Sequence, residues 1–381
     1  MSGLSEIKRI MLSLSDEEII RLLGIHKRQN DDTTIQESCK WMDKTISGLD
    51  KDGLRHLKEL ESDSFGNNSH IDKKQLRYLR ILKNIRMEVP PFFKEIIEPK
   101  QMYKDLKSFC LMNDIPDEII SKVIPSLINY IETGYFRPMI FVGEKGCGKT
   151  TAARMIVEKA LKIPTEIIKA PQTDGGHGMT GDCGVFQSAD AGYIAKARIK
   201  YKTLIIAYIV DEIDKVTHDR NRANIDDELL SITDESNDEI IDNYTEVVNV
   251  ALNHCPIIFT ANDLQKVNPI LVDRCTVINF PDASASRIKS IIKKFTDKKL
   301  ESSLYGMIDL NYEIMFDHVD HLVNCSITSL RKHQQMVEIA LNYALETSLD
   351  QENNTHVLVT EEMFSDAEQT ILGTVKNRVG F

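Results

Sequence analysis

The sequence of 381 residues lacks paired cysteines and long apolar runs. Its seven cysteines occur singly, without a C-x-x-C pair, and an odd number cannot form a closed set of disulfides. This pattern predicts reduced thiols and a cytoplasmic location, in line with an N-terminus that has no apolar signal segment. The longest apolar run, at residues 204–210, is too short to span a bilayer, so we predict no membrane partner.

Positive charge and metal-binding patterns are also scarce. The formal net charge of −11 argues against a protein that coats nucleic acid, although it leaves room for a local basic patch. The ten histidines form no H-E-x-x-H motif and no His/Cys ligand set, so we predict no zinc site. The composition therefore predicts an acidic globular protein, long enough for two or three domains.

Three predicted domains follow from the changes of pattern along the chain. They are a helical N-terminal domain for partner or substrate binding at residues 1–95, an α/β core at 96–282 and a helical lid at 283–381. In the first domain we predict a helix after the capping box at 15–18, a helix over 34–60, a loop over 61–69 and a helix over 72–85. The last of these helices has a basic face. Such a face is usually solvated, and a contact with nucleic acid or an acidic partner is the alternative.

Strands and helices alternate through the core. Predicted strands lie at 137–142, 165–169, 204–210, 256–260 and 275–280. Predicted helices lie at 117–131, 284–295, 311–322 and 329–345, and a short strand at 357–359 precedes a closing helix from 361. The alternation predicts an α/β fold with a five-stranded parallel sheet that is covered by helices on both faces.

A glycine-rich segment connects the first of these strands to a helix. It fits the pattern G-x-x-x-x-G-K-[ST] at Gly143, Gly148, Lys149 and Thr150. Glycines let the backbone wrap a polyphosphate with its N–H groups inward, and the next helix directs its positive end toward the same anion. We expect Lys149 to reach the phosphates of ATP and Thr150 to ligate Mg²⁺. The predicted nucleotide-binding residues are Gly143, Glu144, Lys145, Gly146, Cys147, Gly148, Lys149, Thr150 and Thr151.

Polar residues flank three further strands of the predicted sheet. Asp211 and Glu212 end an apolar strand, so we expect Asp211 to hold Mg²⁺ and Glu212 to polarise an attacking water as general base. Asn262 follows the next strand, where a neutral amide can position that water. Arg274 lies just before the last strand. An arginine stabilises charge on a transferring phosphoryl group, and a neighbouring subunit can donate it.

The order of four segments, GEKGCGKT, IVDEID, FTAND and NPILVDR, resembles the AAA+ ATPases. Within that family the sequence is most similar to the ATPase module of Lon-type proteases. A helix and an L-L-x-x-x-D turn at 227–234 follow the acidic motif, and residues 181–192 resemble the stretch that holds the family's pore loop. The resemblance covers about residues 137–371 and implies Mg²⁺-dependent hydrolysis of ATP.

The resemblance also implies a homo-oligomeric ring, usually a hexamer, with ATP between subunits. The residues from one subunit would be Lys149, Thr150, Asp211, Glu212 and Asn262, and Arg274 would come from the next. Phe186 falls at the position of a pore aromatic that grips a threaded polypeptide, and the alternative is that it simply packs. The family's second-sensor arginine corresponds to Thr328, and Arg331, one helical turn further on, is a candidate replacement.

The family's proteolytic domain would follow the closing helix, but the sequence ends at Phe381. We therefore expect a ring that remodels or threads a protein substrate, on behalf of a separate effector protein. An alternative is the ATPase subunit of a complex that acts on nucleic acid, as in a mobile-element or antiviral system, and the basic helix at 72–85 is its support. A nucleotide-gated scaffold with slow turnover is a third alternative.

Overall fold

The computed structural model describes residues 46–64, 72–86, 115–173, 178–183, 188–216, 225–234, 240–302, 305–349 and 356–376, together with positions 104, 107, 108 and 110. The helix predicted after residues 15–18 lies outside this part of the chain. The chain forms two compact units that alternate along the sequence. The first comprises Met1–Cys110, Asp117–Phe141 and Ala152–Ile278, and the second comprises Leu111–Pro116, Val142–Thr151 and Asn279–Phe381. The predicted domain boundaries stay a prediction.

The elements up to the end of the sheet alternate as the sequence predicts. The helices are α1 (Lys51–Ser64), α2 (Lys73–Asn84), α3 (Asp117–Thr133), α4 (Lys149–Ile156), α5 (Ala170–Thr173), α6 (Tyr193–Tyr201), α7 (Ile225–Ile232) and α8 (Pro269–Arg274). The sheet strands are β1 (Met139–Val142), β2 (Thr165–Lys169), β3 (Ala207–Asp211), β6 (Ile257–Ala261) and β7 (Thr276–Asn279). A hairpin of β4 (Ile241–Asp242) and β5 (Val247–Val248), which the sequence did not predict, lies between them.

The sheet has the strand order β2-β3-β6-β1-β7, which confirms the predicted five-stranded parallel sheet. In its register Lys169 pairs with Asp211, and Val210 pairs with Phe259. All five residues of β6 are buried, as are the first four of β3. Parallel strands place their carboxyl ends at one edge of a sheet, so the polar residues that follow β3 and β6 lie at the same edge.

The strand predicted at 204–210 is wrong at its amino end. Residues 204–206 are buried but precede the strand, which begins at Ala207. The N–H of Ala207 donates to the carbonyl of Pro164, just before β2 begins, at 2.9 Å. Pairing with β2 therefore determines where β3 starts. The apolar pattern of residues 204–210 does not reveal that starting point.

The helix predicted over 34–60 is also wrong within the described residues, because α1 begins only at Lys51. Asp50 Oδ1 accepts the N–H of Gly53 at 2.8 Å, which is the bond of a helix N-cap. Just before it, Ser47 forms an antiparallel bridge with Arg86, and a backbone paired in this way cannot be helical. The helix then continues to Ser64, so the first residues of the predicted loop at 61–69 are helical.

The helix predicted over 72–85 is confirmed as α2, with Asp72 as its N-cap. Its apolar face is buried through Leu76, Leu79, Leu82 and, just after the helix, Ile85. Its basic side chains are exposed, but Arg80 pairs with Glu61 at 2.9 Å and Lys74 pairs with Asp190 at 2.9 Å. Part of the basic charge on α2 is thus used within the chain, and the nucleic-acid interface stays a prediction.

Within the first unit, α2 is attached to the β4–β5 hairpin and to the segment that precedes α6. The hydroxyl of Tyr244 donates to the carboxylate of Asp72, and Gln75 Nε2 donates to the carbonyl of Tyr244 at 2.9 Å. Asp190 lies between Lys74 on α2 and Lys196 on α6, at 2.9 Å and 3.0 Å. Burial alone would raise the pKa of Asp190, but the hydrogen bonds from these two lysines and from a backbone N–H lower it to about 2.

Asp190→Asn is expected to lower the free energy of unfolding by roughly 2 kcal/mol at pH 7. A carboxyl whose pKa is lowered in the folded state stabilises that state above its ordinary pKa near 4, and the contribution is lost as the pH falls toward 2. Urea unfolding at pH 7 and at pH 3 measures this, with the exposed Asp52→Asn as the control. An equal effect of Asp190→Asn at both pH values would contradict the assignment.

The second unit joins the phosphate loop to the elements that follow the sheet. These are α9 (Ala285–Leu300), β8 (Ile308–Leu310), α10 (Tyr312–Asn324), α11 (Leu330–Leu349), β9 (Val357–Val359) and α12 (Glu361–Lys376). The four helices and β9 confirm the predictions, whereas β8, which pairs with β9 in parallel, was not predicted. Ser284 caps α9 and Asn311 caps α10. Apolar side chains of all four helices form the core of this unit.

The described residues contain no helix that is long and apolar enough to cross a bilayer. They also contain no cluster of three or more His, Cys, Asp or Glu side chains arranged to hold a metal ion.

Candidate active site

The predicted phosphate loop connects β1 to α4, as the sequence pattern requires. Gly146 and Gly148 have φ values of 86° and 96°, in the left-handed region that favours glycine. Lys149, the first residue of α4, is buried. Its Nζ donates to the carbonyl oxygens of Gly143 and Glu144, at 2.7 Å and 2.9 Å. The lysine therefore holds a positive charge inside the curve of the loop.

The phosphate loop is in close contact with the residues around α9 and α11 of the same unit. A Cβ on Gly143 would lie 2.7 Å from the carbonyl oxygen of Phe280, and a Cβ on Gly146 would lie 2.5 Å from Oγ of Ser329. Both distances are too short for a side chain, so Gly143 is required for close approach, and Gly146 for close approach as well as for its left-handed backbone. Cys147 is buried in the loop, with its Sγ 3.9 Å from Lys149 Nζ.

In the first unit, one hydroxyl connects the two acidic residues at the end of β3. The hydroxyl of Thr260, on β6, donates to Oδ1 of Asp211. The Oγ1 of Thr260 also accepts the N–H of Glu212 at 3.1 Å. Glu212 has a φ of 61° and a ψ of 45°, which is unusual for a residue other than glycine. Strained backbone of this kind is held by its surroundings and is common at functional sites. Thr260 supplies part of that support.

Two further polar contacts surround this pair. The amide of Asn262, which follows β6, donates to Oδ2 of Asp214 at 3.3 Å. The ammonium of Lys215 forms an ion pair with the carboxylate of Glu212. The side chains of Glu212 and Lys215 are 32% and 40% exposed, so water reaches the Glu212 carboxylate. The structure therefore brings Asp211, Glu212 and Asn262 to one edge of the sheet, as the sequence predicts.

Arg274, at the end of α8, contacts the turn after α7. Its Nη2 lies 3.0 Å from Oδ2 of Asp234, and its Nη1 donates to the carbonyl of Leu230. The side chain is 31% exposed. The guanidinium is therefore held in one orientation close to the surface, by the acidic end of the predicted L-L-x-x-x-D turn.

Three further predicted site residues are the pore aromatic and the two candidates for the second sensor. Phe186 lies outside the described residues. Thr328 lies just before α11 and is half-buried, whereas Arg331, in the first turn of α11, is exposed. Ser329, just before α11, lies close to Gly146 of the phosphate loop, and Leu330, the first residue of α11, lies close to Gly148.

A comparison with protein families identifies the region that contains these contacts. The model described as "ATPase family associated with various cellular activities (AAA)" matches residues 139–283. Residues 139–283 are an AAA ATPase domain. The match begins with β1 and ends just before α9, so the AAA domain contains the phosphate loop, the acidic pair, Asn262 and Arg274.

The chain is also similar to several Lon proteases. The chain is 31% identical over 165 residues to the Lon protease of Mycoplasma mycoides subsp. mycoides, across 42% of this chain and 20% of that protein. It is 25% identical over 248 residues to the mitochondrial Lon protease homolog of Kluyveromyces lactis, across 63% and 22%. For the Lon protease homolog of Acanthamoeba polyphaga mimivirus, the identity is 28% over 165 residues, across 43% and 16%. The similarity to Lon-type ATPases is thus confirmed, and the chain spans 16% to 22% of the length of these relatives.

Sequence reasoning missed two side chains at the AAA domain and its neighbouring helices. The sequence places Thr260 at the end of an apolar strand and suggests no role for it, although a hydroxyl two positions before Asn262 is a local signal of one. The sequence places Arg287 within a helix and suggests no role for it, yet its guanidinium contacts the phosphate loop. No local pattern marks Arg287, because it is 140 residues from the loop residue that it contacts.

Proposed function

We propose that the chain is an Mg²⁺-dependent ATPase that assembles into a homo-oligomeric ring and remodels or threads a protein substrate for a separate effector. The observation that carries the ATPase proposal is the position of Lys149. A buried ammonium is costly unless anions or dipoles compensate it, and here the Nζ of Lys149 donates to the carbonyl oxygens of Gly143 and Glu144. The phosphates of ATP are a stronger counter-charge for the same group.

The other residues supply the parts that hydrolysis needs. The Glu212 carboxylate is the proposed general base for the attacking water, and the Asn262 amide positions that water. The carboxylate of Asp211 and the hydroxyl of Thr150 are hard oxygen donors of the kind that Mg²⁺ prefers. When bound, Mg²⁺ neutralises charge on the phosphates. The Thr260 hydroxyl orients both acidic residues through the bonds described above.

The ring and the protein substrate are supported by similarity to the Lon proteases and by Arg274. The guanidinium of Arg274 is oriented by Asp234 and is partly exposed, so it is accessible to a neighbouring subunit. A nucleic-acid target is the second candidate. If DNA or RNA neither binds at low salt nor changes the ATPase rate, that candidate is excluded.

The direct test of nucleotide binding is the affinity for a fluorescent ATP analogue. Lys149→Ala is expected to weaken binding by about 100-fold or more, because it removes the cation that contacts the phosphates. Lys122→Ala, which removes an exposed lysine from α3, is the matched control and is expected to bind like the wild type. Equal affinities of the wild type and Lys149→Ala would overturn the proposed function.

Thr260→Val is expected to lower the rate of ATP hydrolysis by about 10- to 100-fold, because hydrogen bonds to charged groups are worth roughly 1.5–3 kcal/mol. The valine keeps the shape of the side chain but removes the hydroxyl that joins Asp211 to Glu212. Thr260→Ser restores the hydroxyl and is expected to stay close to the wild-type rate. Steady-state phosphate release measures the effect, and a Thr260→Val rate equal to that of the wild type would show that the hydroxyl does not position the acidic pair.

A further inference from the structure

We propose that Arg287, in the first turn of α9, is the cation that binds the terminal phosphate of ATP from the side of the helices that follow the sheet. The proposal rests on the proposed function, since it assumes that the phosphate loop binds ATP. It assigns to Arg287 a role for which the sequence suggested only Thr328 and Arg331.

The first observation is the contact between Arg287 and the phosphate loop. Its Nη2 lies 3.4 Å from the carbonyl oxygen of Cys147, and 3.8 Å from the position that a Cβ on Gly148 would occupy. The guanidinium therefore lies against the part of the loop that immediately precedes Lys149. Both residues belong to the second unit, in which the loop and α9 form one compact body.

The second observation is that the backbone and a neighbouring ring hold Arg287 in place. Its N–H donates to the Oγ of Ser284, the N-cap of α9, at 3.3 Å. Its guanidinium carbon lies 5.7 Å from the centroid of the Phe280 ring, within the range of a cation–π contact. Phe280 also approaches Gly143 at the other end of the loop. A cation held between a ring and the loop needs little reordering to bind an anion.

The third observation concerns the start of α11, where the sequence suggested a sensing arginine. The side chains that approach the loop there are Ser329, opposite Gly146, and Leu330, opposite Gly148. Neither carries charge, and Arg331 is exposed. The cation that contacts the loop in this part of the described chain is therefore Arg287 of α9, and not a residue at the start of α11.

The chemistry of this contact favours a phosphate oxygen over the Cys147 carbonyl as an acceptor for the guanidinium. A bond of 3.4 Å to a neutral carbonyl is long, whereas a guanidinium forms short, charge-assisted and often paired bonds with phosphate oxygens. Lys149 already supplies a cation inside the curve of the loop. We therefore expect Arg287 to contact the terminal phosphate and so to discriminate between ATP and ADP. We expect the discrimination to be about 10- to 100-fold in affinity.

The test compares the affinities of the full chain for fluorescent ATP and ADP analogues in five proteins: the wild type, Arg287→Gln, Arg287→Lys, Lys149→Ala and Lys298→Gln. Arg287→Gln is expected to lower the affinity for the ATP analogue by about 10- to 100-fold and the affinity for the ADP analogue by less than about threefold. Arg287→Lys keeps the charge without the planar guanidinium, and its affinity for the ATP analogue is expected to lie between those of the wild type and Arg287→Gln. Lys298→Gln removes an exposed cation from the last turn of the same helix and should match the wild type.

Each outcome decides the proposal. An unchanged ratio of ATP to ADP affinity in Arg287→Gln, or an equal loss for both nucleotides, overturns the assignment to the terminal phosphate. If Arg287→Gln fails to fold by circular dichroism, the ratio for Arg287→Lys decides in its place, and a wild-type ratio overturns the assignment. If Lys149→Ala binds both nucleotides like the wild type, the proposed function itself fails, whatever the Arg287 variants show.

Discussion

Glu212→Gln is expected to reduce ATP hydrolysis by about 100-fold or more while ATP still binds, because general base catalysis contributes about 10²- to 10⁴-fold. Gln has nearly the shape of Glu but cannot accept a proton. The backbone position of residue 212 depends on its N–H, which Thr260 accepts, and the substitution keeps that bond. The geometry of the site should therefore survive, and the chemical step should fail.

The measurement has two parts, the affinity for ATP and the rate of phosphate release in a single turnover. Glu118→Gln removes an exposed carboxylate from the first turn of α3 and serves as the control. A Glu212→Gln rate within about threefold of the wild type would remove Glu212 from the mechanism. If the rate falls as predicted, the ATP-bound variant also becomes a trap, because a substrate or effector that binds only the ATP state would stay attached to it.

Arg274→Ala is expected to lower the ATPase rate by about 10³-fold or more, since an arginine that contacts the transferring phosphoryl group contributes about 10³- to 10⁵-fold. Whether it acts in its own subunit or in the next is decided by mixing. In a ring, a subunit with Arg274→Ala and an intact Lys149 can face a subunit with Lys149→Ala and an intact Arg274. Such a pair would contain one complete shared site, although each variant alone is expected to be inactive.

The mixture of the two variants is therefore expected to regain activity above either variant alone. No regain, at concentrations where subunits are shown to exchange, would mean that Arg274 acts within its own chain or only structurally. Asp234→Asn provides a second readout. It removes the charge that orients the Arg274 guanidinium at 3.0 Å, so we expect a smaller loss than for Arg274→Ala. The exposed Arg55→Ala on α1 is the control for loss of positive charge.

Local patterns predicted most of the elements that carry the site. β1, the glycine loop and α4 follow from a motif that demands all three, and the sharp change from apolar to acidic residues marks the end of β3. The predicted starts of two helices after the sheet, at 284 and 311, coincide with the caps Ser284 and Asn311 in the structure. In each case the physical cause lies within a few residues of the effect.

The features that escaped prediction depend on residues that are distant in the sequence. Thr260 contacts Glu212 across 48 residues, and Arg287 contacts Cys147 across 140. The strands β4, β5 and β8 have only two or three residues, too few for an alternating pattern. The start of α1 was misplaced because the bridge between Ser47 and Arg86, which excludes helix there, is a tertiary contact.

The claim that the chain is an ATPase is tested most directly by phosphate release from ATP by the purified protein, with Mg²⁺ and with a chelator in its place. We expect phosphate release that is proportional to protein concentration, that stops when Mg²⁺ is removed and that is lost in Lys149→Ala. A rate that is the same for the wild type and Lys149→Ala would contradict the claim.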